Sequence, residues 1–295
     1  MSNPSIKQVT VVGAGSMGHQ IAMLAALGGF NTYLQDINEA SLDKAHTTLQ
    51  SIMSKWVQKG KITEEEKQAA FHRLSFTPSL EEAAIEADFV IEAVVEKLDV
   101  KREVFAQIDD LAPPHAVVAT NSSTIVSSLI ADATNRSDRV CNMHFFYPPL
   151  VMDCVEVVQG EHTSSETLRT AMELCRAIHR TPVQLDKEIS GFIANRILFA
   201  IQKEAMYLYE NGYADYTDID TITKKALSHP LGPFELMDLS GIDVGYYVMQ
   251  QHFAETGNPE DKPSETMVQK MKAGELGRKT GKGFYVYDEA GKVKR

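Results

Sequence analysis

At 295 residues, with 43% hydrophobic and 23% charged side chains, the chain has the length of about two domains and the composition of a globular protein with a substantial core. A formal net charge of −11 opposes general nucleic-acid binding, since a phosphate backbone would be repelled by the average surface, and any anionic ligand would need a local basic patch. The three cysteines, Cys141, Cys154 and Cys175, form no CxxC pair and no metal-ligand spacing, which excludes a disulfide or metal framework and suggests a reducing compartment. No apolar run reaches the length of a membrane span, and residues 1–7 have neither a signal-peptide core nor an Arg-rich transit pattern, so a cytoplasmic protein is expected.

The first predicted strand, Val9 to Val12, breaks into G-A-G-S-M-G and then into a helix-favouring stretch, His19 to Leu27. Strand, glycine turn and helix in that order form a dinucleotide fingerprint. Gly13 closes the turn, Gly15 lets backbone approach a pyrophosphate, and Gly18 permits close helix packing, with Ser16 and Met17 completing the loop at a helix N-terminus. After a second short run, Asn31 to Gln35, Asp36 stands where a carboxylate takes the ribose hydroxyls of an adenosine. No Lys or Arg follows at Ile37 or Asn38 to receive a 2′-phosphate, so NAD is expected rather than NADP. The alternative is a glycine turn in an α/β protein that binds no nucleotide.

A long helical segment, Glu39 to Lys59, and a second, Glu64 to Phe71, form an insertion near 39–72 that exceeds a minimal crossover. Strand-like runs then recur at Phe89 to Val95, Ala116 to Thr120, Val140 to Phe145, Val155 to Val158 and Pro182 to Val183. Alternation with helical stretches predicts an α/β fold with a Rossmann-type, doubly wound parallel sheet over residues 1–186. From residue 187 to 295 the pattern is helical, broken at Gly212, Pro230 and Gly257, and predicts an all-α second domain. Its first helix, Phe192 to Tyr209, is apolar on more than one face, as in a core helix or a subunit interface.

Ligands of open α/β sheets sit at the carboxyl ends of the strands. Three runs carry polar residues there: Asn121-Ser122-Ser123-Thr124, His144-Phe145-Phe146-Tyr147-Pro148-Pro149, and Asp153 to Val158 with Glu156 among valines. His144 and Glu156 could meet if the two prolines reverse the chain. A carboxylate on one imidazole nitrogen would fix the tautomer and leave the other nitrogen to exchange a proton with an alcohol during hydride transfer. A satisfied core histidine and an edge-strand glutamate are the competing reading.

G-A-G-S-M-G, N-S-S-T, H-F-F-Y-P, V-E-V-V, E-I-S-G-F-I-A-N-R, H-P-L-G-P-F-E-L-M-D and G-R-K-T-G-K-G-F-Y occur in that order over nearly the whole chain. Together they resemble the L-3-hydroxyacyl-CoA dehydrogenase family, and at this length its bacterial 3-hydroxybutyryl-CoA dehydrogenase branch. The resemblance implies reversible NAD-linked oxidation of a short L-3-hydroxyacyl-CoA to the 3-ketoacyl-CoA by a homodimer. It makes His144 the base, Glu156 its orienter, Ser123 a hydrogen-bond partner of the substrate oxygen, and Asn195 a substrate contact from the second domain. It adds Glu96, Lys101 and Asn121 to the cofactor contacts, with Lys279 closing over the cofactor. Glu96 and Lys101 also suit a solvated pair at a helix start. Lys55 and Lys59, spaced i,i+4 with Ser51 on the same segment, suit either a coenzyme A phosphate cradle or a solvated helix face. Tyr147 stands where many relatives read Asn in H-F-F-N-P, and a phenol cannot present an amide's paired donor and acceptor. Two other functions suit the same fold: oxidation of a free hydroxy or sugar acid of the L-gulonate type, which needs neither Lys55 nor Lys59, and a catalytically silent, crystallin-like NAD binder.

Overall fold

The computed structural model describes residues 6–294. The chain divides into two compact units, Met1–Phe192 and Ile193–Arg295. In the first unit the elements run β1 (Gln8–Val12), α1 (Gly18–Leu27), β2 (Asn31–Gln35), α2 (Glu39–Gln58), α3 (Glu64–Arg73), β3 (Leu74–Thr77), α4 (Leu80–Ala84), β4 (Phe89–Glu92), α5 (Leu98–Leu111), β5 (Val117–Thr120), β6 (Val140–Phe145), β7 (Cys154–Val158), α6 (Ser165–Ala177) and β8 (Thr181–Leu185). The strands form one sheet in the order β3-β2-β1-β4-β5-β6-β7-β8. From β3 to β6 the strands are parallel, which is the dinucleotide-binding arrangement.

Two features depart from the sequence expectation. Strand β3 lies directly after α3, where a helical pattern runs into L-S-F-T with Leu74 and Thr77 buried, and a run this short carries no periodicity of its own. Strand β7 is antiparallel to β6, and β8 is parallel to β7, so the sheet is not parallel throughout. The cause is the connection of residues 146–153, which is shorter than the roughly dozen residues a parallel crossover needs.

Apolar layers cover both sides of the sheet. One contains Ile21, Met23, Leu49, Met53 and Phe89, and the other Val90, Phe105, Ile108 and Val118. In α1 every residue from Gly18 to Ala26 is buried, and the insertion supplies the cover, with Leu49 and Met53 of α2 in the same cluster. Asn38 caps α2 by accepting from the Ala40 amide, and Thr63 with Glu66 forms a capping box on α3. Both insertion helices therefore start where their caps stand. Cys141 and Cys175 are buried free thiols, pushed up to about 12 first by burial. No helix among the described residues is long and apolar enough to cross a membrane.

The second unit contains α7 (Ala194–Glu210), α8 (Tyr216–Ala226), α9 (Pro233–Ser240), α10 (Ile242–Thr256) and α11 (Glu265–Ala273). Its core gathers Met206, Phe234, Ile242 and Phe284 around two buried carboxylates. Asp220 accepts from the Phe234 amide at 2.9 Å, the Glu235 amide at 3.0 Å and the Tyr285 hydroxyl at 2.8 Å. Asp238 accepts from the Phe284 amide at 2.8 Å, the Tyr285 amide at 2.9 Å and the Tyr287 hydroxyl at 2.9 Å. A Cβ on Gly232 would stand 2.2 Å from the Asp220 Cγ, and one on Gly283 2.0 Å from an Asp238 oxygen. Thus Asp220 and Asp238 tie the start of α9 and the G-K-G-F-Y segment together through buried hydrogen bonds.

Candidate functional site

The glycine loop shows what each glycine is for. Gly13 has φ +104°, and a Cβ there would lie 2.6 Å from the Ala93 carbonyl oxygen, so neither the backbone nor the space admits a side chain. A Cβ on Gly18 would lie 1.8 Å from the Gly13 oxygen, which sets α1 directly against the end of β1. Around Gly15 a Cβ would meet nothing within 4 Å. That open side of the loop, exposed at Gly15 and Ser16 with Met17 as N-cap, is where a pyrophosphate fits. Asp36, at the end of β2, accepts from the Ala14 amide at 2.8 Å and from the Asn38 amide at 2.9 Å, so its carboxylate is oriented beside the loop with further lone pairs to spare. These residues fit a dinucleotide.

At the ends of β4 and β5 a polar network holds the next loop. Lys101 is 1% exposed, donates to Glu92 Oε1 at 2.8 Å and Oε2 at 3.0 Å, and forms an ion pair with Glu96 Oε2 at 3.2 Å. The ammonium group is thereby held between two carboxylates inside the protein. Glu92 also accepts from Thr120 Oγ1 at 2.6 Å and from the Val94 amide at 2.7 Å. Glu96 Oε1 gathers the Ser122 hydroxyl, the Ser123 and Thr124 amides at 3.2 Å each, and Thr124 Oγ1 at 2.9 Å. Burial pushes the Glu96 carboxyl up, but Lys101 and the Ser122 and Thr124 donors outweigh it and hold the group below its ordinary value. Asn121 accepts from the Phe145 amide at 2.9 Å and so ties the end of β5 to the end of β6.

His144 and Glu156 are direct cross-strand partners in the β6–β7 register, because residues 146–153 reverse the chain. His144 Nδ1 lies 2.8 Å from Glu156 Oε2, and Nε2 lies 3.0 Å from Ser123 Oγ. Both side chains are buried, His144 at 3% and Glu156 at 3% exposure. An ionised Glu156 assigns the proton to Nδ1, leaving an Nε2 lone pair to accept from Ser123. Two aromatic rings complete the enclosure: Phe146 meets the imidazole edge-on at 4.7 Å and Phe192 at 5.3 Å, tilted by 47°. This Ser–His–Glu relay suits proton exchange with an alcohol or carbonyl at the carboxyl edge of the sheet.

Ser51, Lys55 and Lys59 lie exposed at one-turn intervals along α2 and its C-cap, and neither lysine has an ion-pair partner among the described residues. Tyr147 is 66% exposed. In the second unit Asn195 occupies the first turn of α7, and Lys279 is paired with Asp243 at 2.6 Å. Glu92 was not a sequence candidate, since it reads as the end of an apolar strand. Its pairing with Lys101, nine positions on, is visible only in the fold, because the sequence does not show burial. Phe192 was expected inside the first helix of the second domain, but α7 begins at Ala194 and Phe192 belongs to the first unit.

Fold and site together define a nicotinamide-dinucleotide dehydrogenase. The 3-hydroxyacyl-CoA dehydrogenase NAD-binding domain matches residues 8–189, and the C-terminal domain of the same enzymes matches residues 191–287. The chain belongs to the 3-hydroxyacyl-CoA dehydrogenase family. It is 38% identical to a probable 3-hydroxybutyryl-CoA dehydrogenase of Bacillus subtilis over 96% of this chain and 98% of that one. It is 36% identical to the human mitochondrial hydroxyacyl-coenzyme A dehydrogenase over 96% and 91%. The crystal structure of (S)-3-hydroxybutyryl-CoA dehydrogenase PaaH1 from Ralstonia eutropha superposes with a TM-score of 0.90 at 36% identity, covering 97% of this chain and all of that one.

Proposed function

We propose that the chain reversibly oxidises the hydroxyl of a short L-3-hydroxyacyl-CoA, such as 3-hydroxybutyryl-CoA, with His144 as the base. The observation that carries the reading is the buried Ser123–His144–Glu156 relay at the strand ends of an NAD-binding sheet. In oxidation the hydroxyl proton passes to His144 Nε2, the nitrogen that Ser123 faces. For this Ser123 first turns its hydroxyl from Nε2 to the substrate oxygen, which frees the lone pair that receives the proton. Glu156 stays ionised on Nδ1 and stabilises the imidazolium that forms. In reduction the same nitrogen returns the proton to the carbonyl oxygen. Bound NAD supplies the hydride acceptor, and Gly13, Gly15, Ser16, Met17, Gly18 and Asp36 hold it, with Glu96, Lys101, Asn121, Ser123 and Lys279 as further contacts.

Lys101, ion-paired with Glu96 at 3.2 Å, also fixes that carboxylate beside the loop. Ser51, Lys55 and Lys59 take the phosphates of coenzyme A on the exposed face of α2, where an acidic protein presents two lysines without ion-pair partners. Asn195 contributes a substrate contact. The enzyme works as a cytoplasmic homodimer, and the large apolar side chains left uncovered on the second unit support that assembly.

The test is NADH consumption with acetoacetyl-CoA, run beside free acetoacetate and a longer 3-ketoacyl-CoA. Turnover of the thioesters alone is expected. Equal turnover of free acetoacetate would move the reading to a free-acid dehydrogenase, and stoichiometric NADH binding without turnover to a silent binder.

A further inference from the structure

Phe192 is fully buried, yet it sits at φ +48°, directly after Gly191 at φ +76°. For a bulky L-residue the left-handed region is sparsely populated and persists only where the surroundings over-determine it. The ring enters a small apolar cluster of Val158 and Leu185, with Val126 beside them. What the left-handed turn achieves is to bring an aromatic ring to within 5.3 Å of the His144 imidazole, on a residue anchored by its amide to the Ile189 carbonyl at 3.0 Å. The turn is itself held from the other end: Glu188 accepts from Ser127 Oγ at 2.7 Å and from the Ser128 amide at 2.9 Å.

His144 is thus restrained on four sides, by Glu156, Ser123, Phe146 and Phe192. The two hydrogen bonds fix which nitrogen bears the proton only while the ring stays in their plane and water stays out. Aromatic rings packed against the imidazole meet both conditions.

We infer that Phe192 is a positioning residue for His144: its left-handed backbone aims an aromatic ring that holds the imidazole in the single tautomer and orientation the reaction uses. The inference rests on the reading of His144 as the base. It does not make Phe192 a contact of substrate or cofactor.

The experiment compares Phe192→Leu, Phe192→Gly and Phe192→Tyr by steady-state kinetics and by the ¹⁵N spectrum of the His144 ring, assigned with His144→Gln. Leu keeps apolar bulk, Gly keeps the left-handed backbone, and Tyr keeps the ring. The expected result is a kcat lower by about 10- to 100-fold in Leu and Gly with NADH affinity nearly unchanged, since a displaced base loses near-attack geometry. In both, the His144 nitrogens should leave the single Nδ1-protonated pattern of the wild type for a tautomer mixture. Tyr should restore both readouts. Leu with wild-type kcat and an unchanged spectrum overturns the inference, and so does Gly with full activity, which would show that only the backbone matters. Should the enzyme turn over no acyl-CoA at all, the function is misread, while the ¹⁵N spectra still decide whether Phe192 holds the imidazole.

Discussion

At the scale of single residues, the proposed chemistry depends on groups whose removal has separable effects. His144→Gln keeps side-chain bulk and polarity but supplies no base, so turnover should fall by a factor of about 10² to 10⁴. NADH affinity, followed by fluorescence titration, should hardly change, because the glycine loop and Asp36 that hold the dinucleotide are built independently of His144. A variant as active as the wild type would remove His144 from the mechanism. Asp36 makes the complementary case. Its two oxygens are oriented by the Ala14 and Asn38 amides and the next side chain, Ile37, is 90% exposed, so a cation placed there is free to meet a 2′-phosphate. Asp36→Ala combined with Ile37→Arg should therefore shift the kcat/KM ratio from NADH toward NADPH. An unchanged ratio would show that Asp36 does not reach the ribose.

At the scale of elements, loops rather than strands carry the site, and their holding groups set its pH limits. Glu96 gathers the Ser122–Thr124 segment through one carboxylate oxygen, and its folded pKa is held below the ordinary 4.5. A depressed carboxylate contributes stability that is complete above the unfolded value and disappears as pH falls through the folded one. Glu96→Gln should therefore flatten the acid side of a Tm-against-pH curve below 4.5 while raising KM for NADH at neutral pH. Equal acid sensitivity in the two proteins would contradict this. In the second unit Gly232→Ala forces a methyl to within 2.2 Å of Asp220, whose own carboxyl burial already pushes up. Overpacking of this kind costs about 1–3 kcal/mol, so a clear drop in Tm is expected by calorimetry. The same elements mark how far the sequence could be read. The glycine turn, Asp36 and the alternation of strands were legible because each follows from local rules. The meeting of His144 with Glu156 was legible as a condition on the two prolines. Strand β3, the reversal at β7, the Glu92–Lys101 pair and the place of Phe192 were not, because each is decided by partners distant in sequence: a short strand has no period, a buried ion pair looks like two surface charges, and a left-handed phenylalanine looks like the start of the helix that follows.

At the scale of the whole molecule, the second unit leaves large apolar side chains without cover. Tyr207 is 52% exposed, Ile222 58%, Leu227 61%, Val244 50% and Tyr247 60%, on α7, α8, α10 and the residue after α8. Helix α7 is apolar on more than one face, yet only Ala205 and Met206 of it are buried within the chain. Exposed apolar area of that kind suits an interface with another chain. A second copy is the economical occupant, since a two-fold dimer covers the same patch on both chains at once. Light scattering should then give about twice 32.7 kDa for the wild type. Ile222→Glu with Tyr247→Glu places charges on side chains that contribute little to the fold of one chain, so the variant should run as a folded monomer with an unchanged far-UV spectrum. A wild-type protein that scatters as a monomer at micromolar concentration would mean that these side chains serve some contact other than self-association. In such a dimer, the proposed Ser123–His144–Glu156 relay of each chain would still draw on its own first unit alone. Dilution into monomers should therefore weaken stability before it weakens the proton-transfer step, and the order in which Tm and kcat decline on dilution distinguishes a structural interface from a catalytic one.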